Sequence, residues 1–262
     1  MRWDPAQYLK FGDLRLRPAI DLLNRIDVDN PSRICDIGAG AGNVTRLLKL
    51  RWPNARILSV DSSEEMLAKA RQMLPEVTWE LADLATWRPL APAEIIYSNA
   101  ALHWVADHQR LFPALFSALP DHGVLAVQMP HNFSSPSHLA IAEAVHSGPW
   151  RRRLEPLLRP PPVGDPEFYF DLLAPRAARL DIWETEYLQV LEGEDPVKEW
   201  TKGTWLKPLL DALPEPERSR FEQRYAELVA AAYPRRGDGR TLFPFRRLFI
   251  VAHRGGSNTA SR

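Results

Sequence analysis

The chain has 262 residues, 33 basic and 33 acidic side chains, zero formal net charge and one cysteine. A neutral balance supplies no broad basic field for nucleic acid or an anionic membrane, and a lone cysteine builds neither an internal disulfide nor a cysteine-based metal centre. No apolar run is long enough to span a bilayer and no basic-then-apolar leader opens the chain, so no membrane partner, no metal and a cytoplasmic location are expected.

Residues 1–29 read as an N-terminal arm, with an apolar cluster at Trp3, Tyr8, Leu9 and Phe11 and a helical spacing at Leu16, Ile20, Leu23 and Ile26. Arg33 to Ile37 is a strand. It contains Asp36 and runs into Gly38, Gly40 and Gly42, after which a helix begins near Asn43. A strand, a glycine turn and a helix is how α/β proteins hold a nucleotide. The acid two residues before the first glycine departs from the dinucleotide fingerprint, which holds an anionic pyrophosphate on helix N-terminal amides. A ligand bearing ammonium and sulfonium groups needs a carboxylate near this turn instead.

Arg56 to Asp61 is the second strand. Asp61 falls about twenty residues past the glycines, where such folds place a carboxylate that accepts both ribose hydroxyls. Ser62 and Glu65 fit a capping box for the next helix, whose apolar face is Met66, Leu67, Ala70 and Met73. Met66 is placed to touch an adenine. Val77 to Leu81 is strand three, followed by Ala82, Asp83 and Leu84; Asp83 can accept the exocyclic amine of adenine and Leu84 can line the ring. Strand four, Ala93 to Asn99, leads into Ala100, Ala101, Leu102, His103 and Trp104. Ligands of open α/β sheets lie beyond the carboxyl ends of the strands, so this loop faces the reacting group.

A helix from Leu111 to Leu119 and a fifth strand from Val124 to Met129 follow. The alternation then breaks. A helix at His138 to Val145, the triplet Arg151-Arg152-Arg153 and Pro160-Pro161-Pro162 read as a cap. Leu180 to Val190 alternates as strand six, residues 195–232 carry helices, Arg247 to Ala252 is a last strand, and the polar tail from Gly255 reads as disordered. The expected divisions are 1–130 (core and arm), 131–178 (cap), 179–254 (completing strands and helices) and 255–262 (tail).

The glycine motif, Asp61, Asp83 and the Asn99 loop together resemble class I S-adenosylmethionine (SAM) methyltransferases. Trp3-x-Pro5-x-x-Tyr8-Leu9-x-Phe11, Arg17-Pro18, Asp61-Ser62-Ser63, Ser98-Asn99-Ala100-x-Leu102-x-Trp104, Leu125 to Pro130, Asp181-Ile182-Trp183 and Arg247 to Ala252 narrow the resemblance to the trans-aconitate methyltransferase family. The chain departs from that family's pattern in two places: Ala39-Gly40-Ala41-Gly42 stands where relatives have Cys-Gly-Pro-Gly, and His103 stands where they often have glutamine.

The resemblance implies an α/β fold: a Rossmann-like, seven-stranded, mostly parallel sheet with the last strand antiparallel, helices on both faces and a helical cap. It implies methyl transfer from SAM to a carboxylate of trans-aconitate, giving a monomethyl ester and S-adenosylhomocysteine. The cofactor residues expected are Tyr8, Arg17, Asp36, Gly38, Gly40, Asn43, Asp61, Ser62, Met66, Ala82, Asp83, Leu84, Asn99 and Ala100. A tricarboxylate substrate would meet His103, Arg151, Arg152, Arg153 and Arg247 as clamps, with Trp104, Tyr169 and Trp200 shaping the pocket. A carboxylate nucleophile is ionised at neutral pH and needs no general base. Another small carboxylic acid, or a phenol with His103 as base, is the alternative acceptor. A monomer or weak dimer is expected.

Overall fold

The computed structural model describes residues 16–256. The chain forms two compact units. One comprises residues up to 130, residues 162–185 and residues from 247 onward; the other comprises 131–161 and 186–246.

The first unit opens with helix α1 (Arg17–Asn24), which begins with Pro18 in its first turn and buries Ala19, Ile20, Leu22 and Leu23. Strand β1 (Arg33–Ile37), helix α2 (Asn43–Arg51), β2 (Arg56–Asp61), α3 (Glu64–Met73), β3 (Thr78–Leu81) and β4 (Ile95–Asn99) alternate. A 3₁₀ turn (Leu102–Trp104), α4 (His108–Ser117), β5 (Val124–Pro130) and α7 (Pro166–Leu173) complete this unit's turns and helices. Strands β6 (Ala177–Leu191) and β7 (Thr241–Arg254) each run through residues of both units.

The sheet order is β3-β2-β1-β4-β5-β7-β6. The pairs among β1 to β5 are parallel, and β5 pairs with β7 antiparallel. Central strands covered on both faces must be apolar throughout. Ile34, Cys35, Ile95, Ile96, Tyr97 and Val124 to Val127 are accordingly buried. Burial pushes the Cys35 thiol up to about 12, so it is an inert core group. The strand order reverses between β1 and β4, and this switch point is where α/β sheets open a ligand crevice.

Two local readings change. The cap of α3 is Ser63, not Ser62: Asp61 Oδ1 accepts from Ser63 N at 2.9 Å, and Ser63 Oγ then accepts from Met66 N at 3.3 Å. The last strand is longer than the apolar run Arg247 to Ala252, starting at Thr241, because Phe243 and Phe245 pack into a core despite the intervening Pro244.

That core belongs to the second unit, which carries α5 (Pro136–His146), α6 (Arg151–Leu154), a 3₁₀ turn (Glu155–Leu157), α8 (Pro196–Lys202), α9 (Lys207–Asp211) and α10 (Glu217–Ala232). Ile141, Val145, Trp150, Leu206, Phe221, Tyr225 and Val229 are among its buried residues. Two of its tyrosines bond Ser137: Tyr225 Oη donates to Ser137 O at 2.9 Å, and Tyr233 Oη accepts from Ser137 N at 3.2 Å. Among the described residues, no helix is long and apolar enough to cross a membrane.

Candidate active site at the carboxyl ends of the parallel strands

The glycine loop is held from below. Gly38 N and Ala39 N both donate to Val60 O, at 2.8 and 3.1 Å, which ties the loop to β2. Gly38 has a φ of 76°, and a Cβ placed there would lie 2.0 Å from the Ala101 Cβ. Only glycine lets the loops after β1 and β4 meet so closely. Gly40 is the opposite case, with a φ of 55° and nothing within 4 Å of its Cβ position. The backbone here borders open space that a side chain would fill.

Asp61 ends β2 beside that space. Its Oδ2 accepts from Gly40 N at 2.8 Å and its Oδ1 from Ser63 N at 2.9 Å. Each oxygen keeps acceptor capacity, so a half-buried carboxylate is held in a fixed orientation with room to accept from two adjacent hydroxyls. This cradle fits the ribose of an adenosyl cofactor.

Asp36 lies beneath the same loop, 1% exposed, with Oδ2 accepting from Thr45 Oγ1 at 2.6 Å. Burial, the largest influence, pushes its pKa up to about 7; the Thr45 bond opposes this and the Asp61 charge adds to it. Near neutrality it is a buried, half-ionised group one layer below the cradle. Asn43 is exposed at the start of α2. Ser62 and Met66 are exposed on the α3 side, and Ala82, Asp83 and Leu84 follow β3. Asp83 is exposed, with Oδ1 accepting from Ala85 N at 3.0 Å. Leu84 is 3.5 Å from the Gly38 Cβ position, so it borders the glycine loop. Arg17 is exposed at the start of α1, and Tyr8 lies outside the described residues, as does the tail from Ser257.

The β4 side is built differently. Ala100 takes a φ of 52°, unusual for a residue with a Cβ, and its N donates to Gln128 O at 2.9 Å. Asn99 and Gln128 are register partners, as are Gln128 and Phe249, and Pro130 and Arg247. Paired and alternate positions share a face, so Asn99, Gln128 and Arg247 lie on one side of the sheet. Asn99 Oδ1 and both amide atoms of Gln128 are buried with no hydrogen-bond partner. Gln128 escapes a pattern-based reading because it sits inside the apolar run Leu125 to Met129; a carboxamide amid buried apolar neighbours is the only signal of it.

His103, in the 3₁₀ turn, is 6% exposed, and its Nδ1 also has no partner. Burial, then the Arg247 charge, then His108, push its pKa down to about 3. His103 is therefore neutral at pH 7 and not a cationic clamp. Its ring lies 4.6 Å from that of Trp104, which is 57% exposed. The turn is pinned from behind. His108 Nε2 bonds Leu102 O at 2.9 Å, and its Nδ1 bonds Tyr169 Oη at 2.6 Å. Because the carbonyl can only accept, Nε2 carries the proton and the tyrosine donates to Nδ1. Gly164 N donates to the same hydroxyl at 3.2 Å. Tyr169 is fully buried, so the structure gives it the task of holding the His108 side of the turn rather than lining a pocket.

Arg151, Arg152, Arg153 and Trp200 belong to the second unit. The three arginines are exposed. Arg151 makes two 3.1 Å bonds to Glu155, and Arg153 bonds Glu217 at 2.6 Å. Trp200 packs edge-on against Phe243 at 6.0 Å.

The strand order, the glycine loop and the strand-end acids define a class I methyltransferase fold, and the methyltransferase domain family matches residues 34–123. The YcgJ protein of Bacillus subtilis superposes with a TM-score of 0.58 at 13% identity, covering 92% of this chain and 99% of that one. Phosphoethanolamine N-methyltransferase 2 of Haemonchus contortus, solved with S-adenosylhomocysteine, gives 0.55 at 15% identity over 91% of this chain; the chain spans 52% of that protein. At such identities the likeness is one of fold. Sequence relatives narrow it. Trans-aconitate 2-methyltransferase of Azoarcus sp. (strain BH72) is 48% identical over 96% of this chain and 99% of the relative. That of Yersinia pestis (strain Pestoides F) is 45% identical over 96% and 98%. The chain belongs to the trans-aconitate 2-methyltransferase family.

Proposed function

We propose that this protein transfers the methyl group of SAM to a carboxylate of trans-aconitate, releasing the monomethyl ester and S-adenosylhomocysteine. One observation carries the reading: the 48% identity extends over 96% of the chain, across the cofactor cradle and the β4–β5 loops alike.

SAM supplies a methyl carbon already activated by a sulfonium. The chain therefore has to bind, align and exclude water. Asp61 is assigned to the ribose hydroxyls and Gly38 and Gly40 to close backbone approach. Asp83, Leu84, Ala82 and Met66 are assigned to adenine, with Ser62 and Asn43 at the edges of that site. Asn99, Ala100, Arg17 and Tyr8 are assigned to the methionine portion, and Asp36 supplies negative charge beneath it. Arg247 is the assigned anchor for a non-reacting carboxylate, with His103 as a neutral hydrogen-bonding neighbour and Trp104 at the rim. Arg151 and Arg153 have carboxylate partners of their own; Arg247 is chosen for its place on the sheet face that carries Asn99 and Gln128.

A phenol acceptor would need a base. His103, pushed down to about 3, is too weak a base to take a phenolic proton near neutrality. That observation favours a carboxylate nucleophile. A cytoplasmic location goes with the reading, since both substrates are soluble metabolites. A monomer or weak dimer suffices, because every assigned residue comes from one chain.

The test is release of S-adenosylhomocysteine from SAM with trans-aconitate, cis-aconitate, citrate or no acceptor. Turnover well above the others with trans-aconitate is expected. SAM binding without turnover on any of them would refute the acceptor while leaving the cofactor in place.

A further inference from the structure

Gln128 has no task in the account above, yet it is the most anomalous polar side chain in the first unit. It is 0% exposed, and neither its amide nitrogen nor its amide oxygen has a partner. Buried carboxamides are ordinarily satisfied, so an unsatisfied one calls for a reason. Its location suggests one. Gln128 pairs in register with Asn99, the last residue of β4, whose Oδ1 is also unpartnered. On its other side, β7 brings Phe249 opposite Gln128 and Arg247 opposite Pro130. Three polar side chains thus follow one another across a single face at the ligand edge of the sheet: Asn99, Gln128 and Arg247.

Strand order tells which ligand lies there. Asp61 ends β2, the glycine loop follows β1, and β4 and β5 come next. Neighbouring strands are about 4.8 Å apart, so β5 sits roughly 14 Å from the ribose carboxylate. The sulfonium is separated from the ribose ring by a single methylene carbon. With the methionine portion assigned to Asn99 and Ala100 at the end of β4, the methyl group would face that strand and its acceptor would lie over β4 and β5. Gln128 belongs to the acceptor side.

The two polar groups flanking that acceptor differ in strength. A guanidinium binds a carboxylate by charge and two parallel hydrogen bonds, which draws electron density from the oxygens. A neutral carboxamide NH₂ holds a carboxylate oxygen more weakly. The reacting carboxylate must be oriented without being quenched; a spectator carboxylate can be gripped hard.

We propose that Gln128 selects the carboxylate to be methylated, donating from Nε2 to its non-attacking oxygen while Arg247 grips a spectator carboxylate. This rests on the acceptor assigned above. In the step itself a lone pair of the free carboxylate oxygen forms the O–CH₃ bond. The C–S bond breaks, its electron pair stays on sulfur as the neutral thioether, and no proton moves.

Gln128→Met tests this, because it keeps the length of the side chain and removes its polarity. Three results are expected in the full chain. The product, a single monomethyl ester in the wild type, becomes a mixture of positional isomers by NMR. kcat/KM for trans-aconitate falls about 10- to 100-fold, the range of a hydrogen bond to a charged group. S-adenosylhomocysteine affinity stays within about twofold, and the melting temperature of the ligand-free protein rises, since an unpaired amide has left the interior. A single isomer at kcat/KM within threefold of wild type overturns the proposal, as does an equal loss of S-adenosylhomocysteine binding or a lowered melting temperature. Gln128→Glu supplies a second reading: like charge should raise KM further than Met does, and an unchanged KM overturns the proposal. Absence of trans-aconitate turnover in the wild type would overturn the acceptor itself, and this proposal with it.

Discussion

The two halves of the strand-end crevice are finished to different degrees. Around the ends of β1 and β2, the loop amides and the Asp61 carboxylate satisfy one another: Gly40 N and Ser63 N meet the two oxygens of Asp61, and Gly38 N meets Val60 O. Around β4 and β5, Asn99 Oδ1, the Gln128 amide and His103 Nδ1 are buried and unmatched, and Ala100 holds a left-handed backbone. On the proposed assignment, the difference means that the cofactor half is preformed, its ligand adding to contacts already made, while the acceptor half holds unmet hydrogen bonds for a ligand to complete. Unmatched buried groups cost stability, and they persist where binding recovers the cost.

The largest expected effect comes from joining the halves too tightly. In Gly38→Val the new Cβ meets the Ala101 Cβ, 2.0 Å away, at a φ of 76° that a β-branched residue rarely adopts. Either the glycine loop or the β4 loop must move. A loss of roughly 3 kcal/mol or more in denaturant-measured stability is expected, with S-adenosylhomocysteine binding lost in calorimetry. Near-normal binding would mean that the two loops are independent, and the comparison would fail.

A matched pair of substitutions sharpens it. Asp61→Asn removes an acceptor from the cradle, so S-adenosylhomocysteine affinity should drop about 10- to 100-fold while the trans-aconitate KM at saturating SAM stays within about twofold. Arg247→Gln should do the reverse, raising that KM about 10- to 100-fold with cofactor affinity intact. Both measurements moving together in either variant would show one site rather than two halves.

Asp36 gives a smaller effect, readable by pH. Its folded pKa is raised from 3.8 to about 7, so between those values the folded protein holds a proton that the unfolded chain has released. Stability of the ligand-free protein should fall as pH rises through that window, by at most about 4 kcal/mol. Asp36→Asn should abolish the slope. A cationic ligand above favours the ionised form, so wild-type SAM affinity should increase as pH passes 7, and the Asn variant should not show it. Calorimetry from pH 6 to 8 decides, and a flat wild-type profile would remove Asp36 from the site.

The same contrast explains what the sequence made legible. The cofactor half is encoded locally: glycines at alternate positions, an acid at a strand end and apolar strands covered on both faces are patterns of neighbours along the chain. The acceptor half is assembled from residues far apart. Asn99, Gln128 and Arg247 share a face only through the β4-β5-β7 register, which no periodicity specifies. Hence Gln128 looked like part of an apolar strand, while Tyr169 looked available although His108 and Gly164 occupy its hydroxyl. His103 read as a clamp because its type was visible and its burial was not. The capping shift from Ser62 to Ser63 has the same origin, since it depends on where the Asp61 side chain turns.

The smallest expected effect tests whether the acceptor half is also held from outside. Tyr169→Phe keeps the ring against Phe112, with centroids 4.7 Å apart, and deletes only the hydroxyl. Gly164 N then loses its acceptor and His108 Nδ1 its donor, while the His108 bond to Leu102 O remains. Two partly or fully buried groups left unmatched should cost about 1–2 kcal/mol, seen as a lowered melting temperature. The 3₁₀ turn keeps its direct bond, so kcat/KM for trans-aconitate should change less than about threefold, and cofactor affinity not at all. A much larger kinetic loss at the same modest stability cost would show that the Tyr169–His108 pair sets the position of His103. The unmet polar groups at β4 and β5 would then depend on this outer lock as well as on the ligand that completes them.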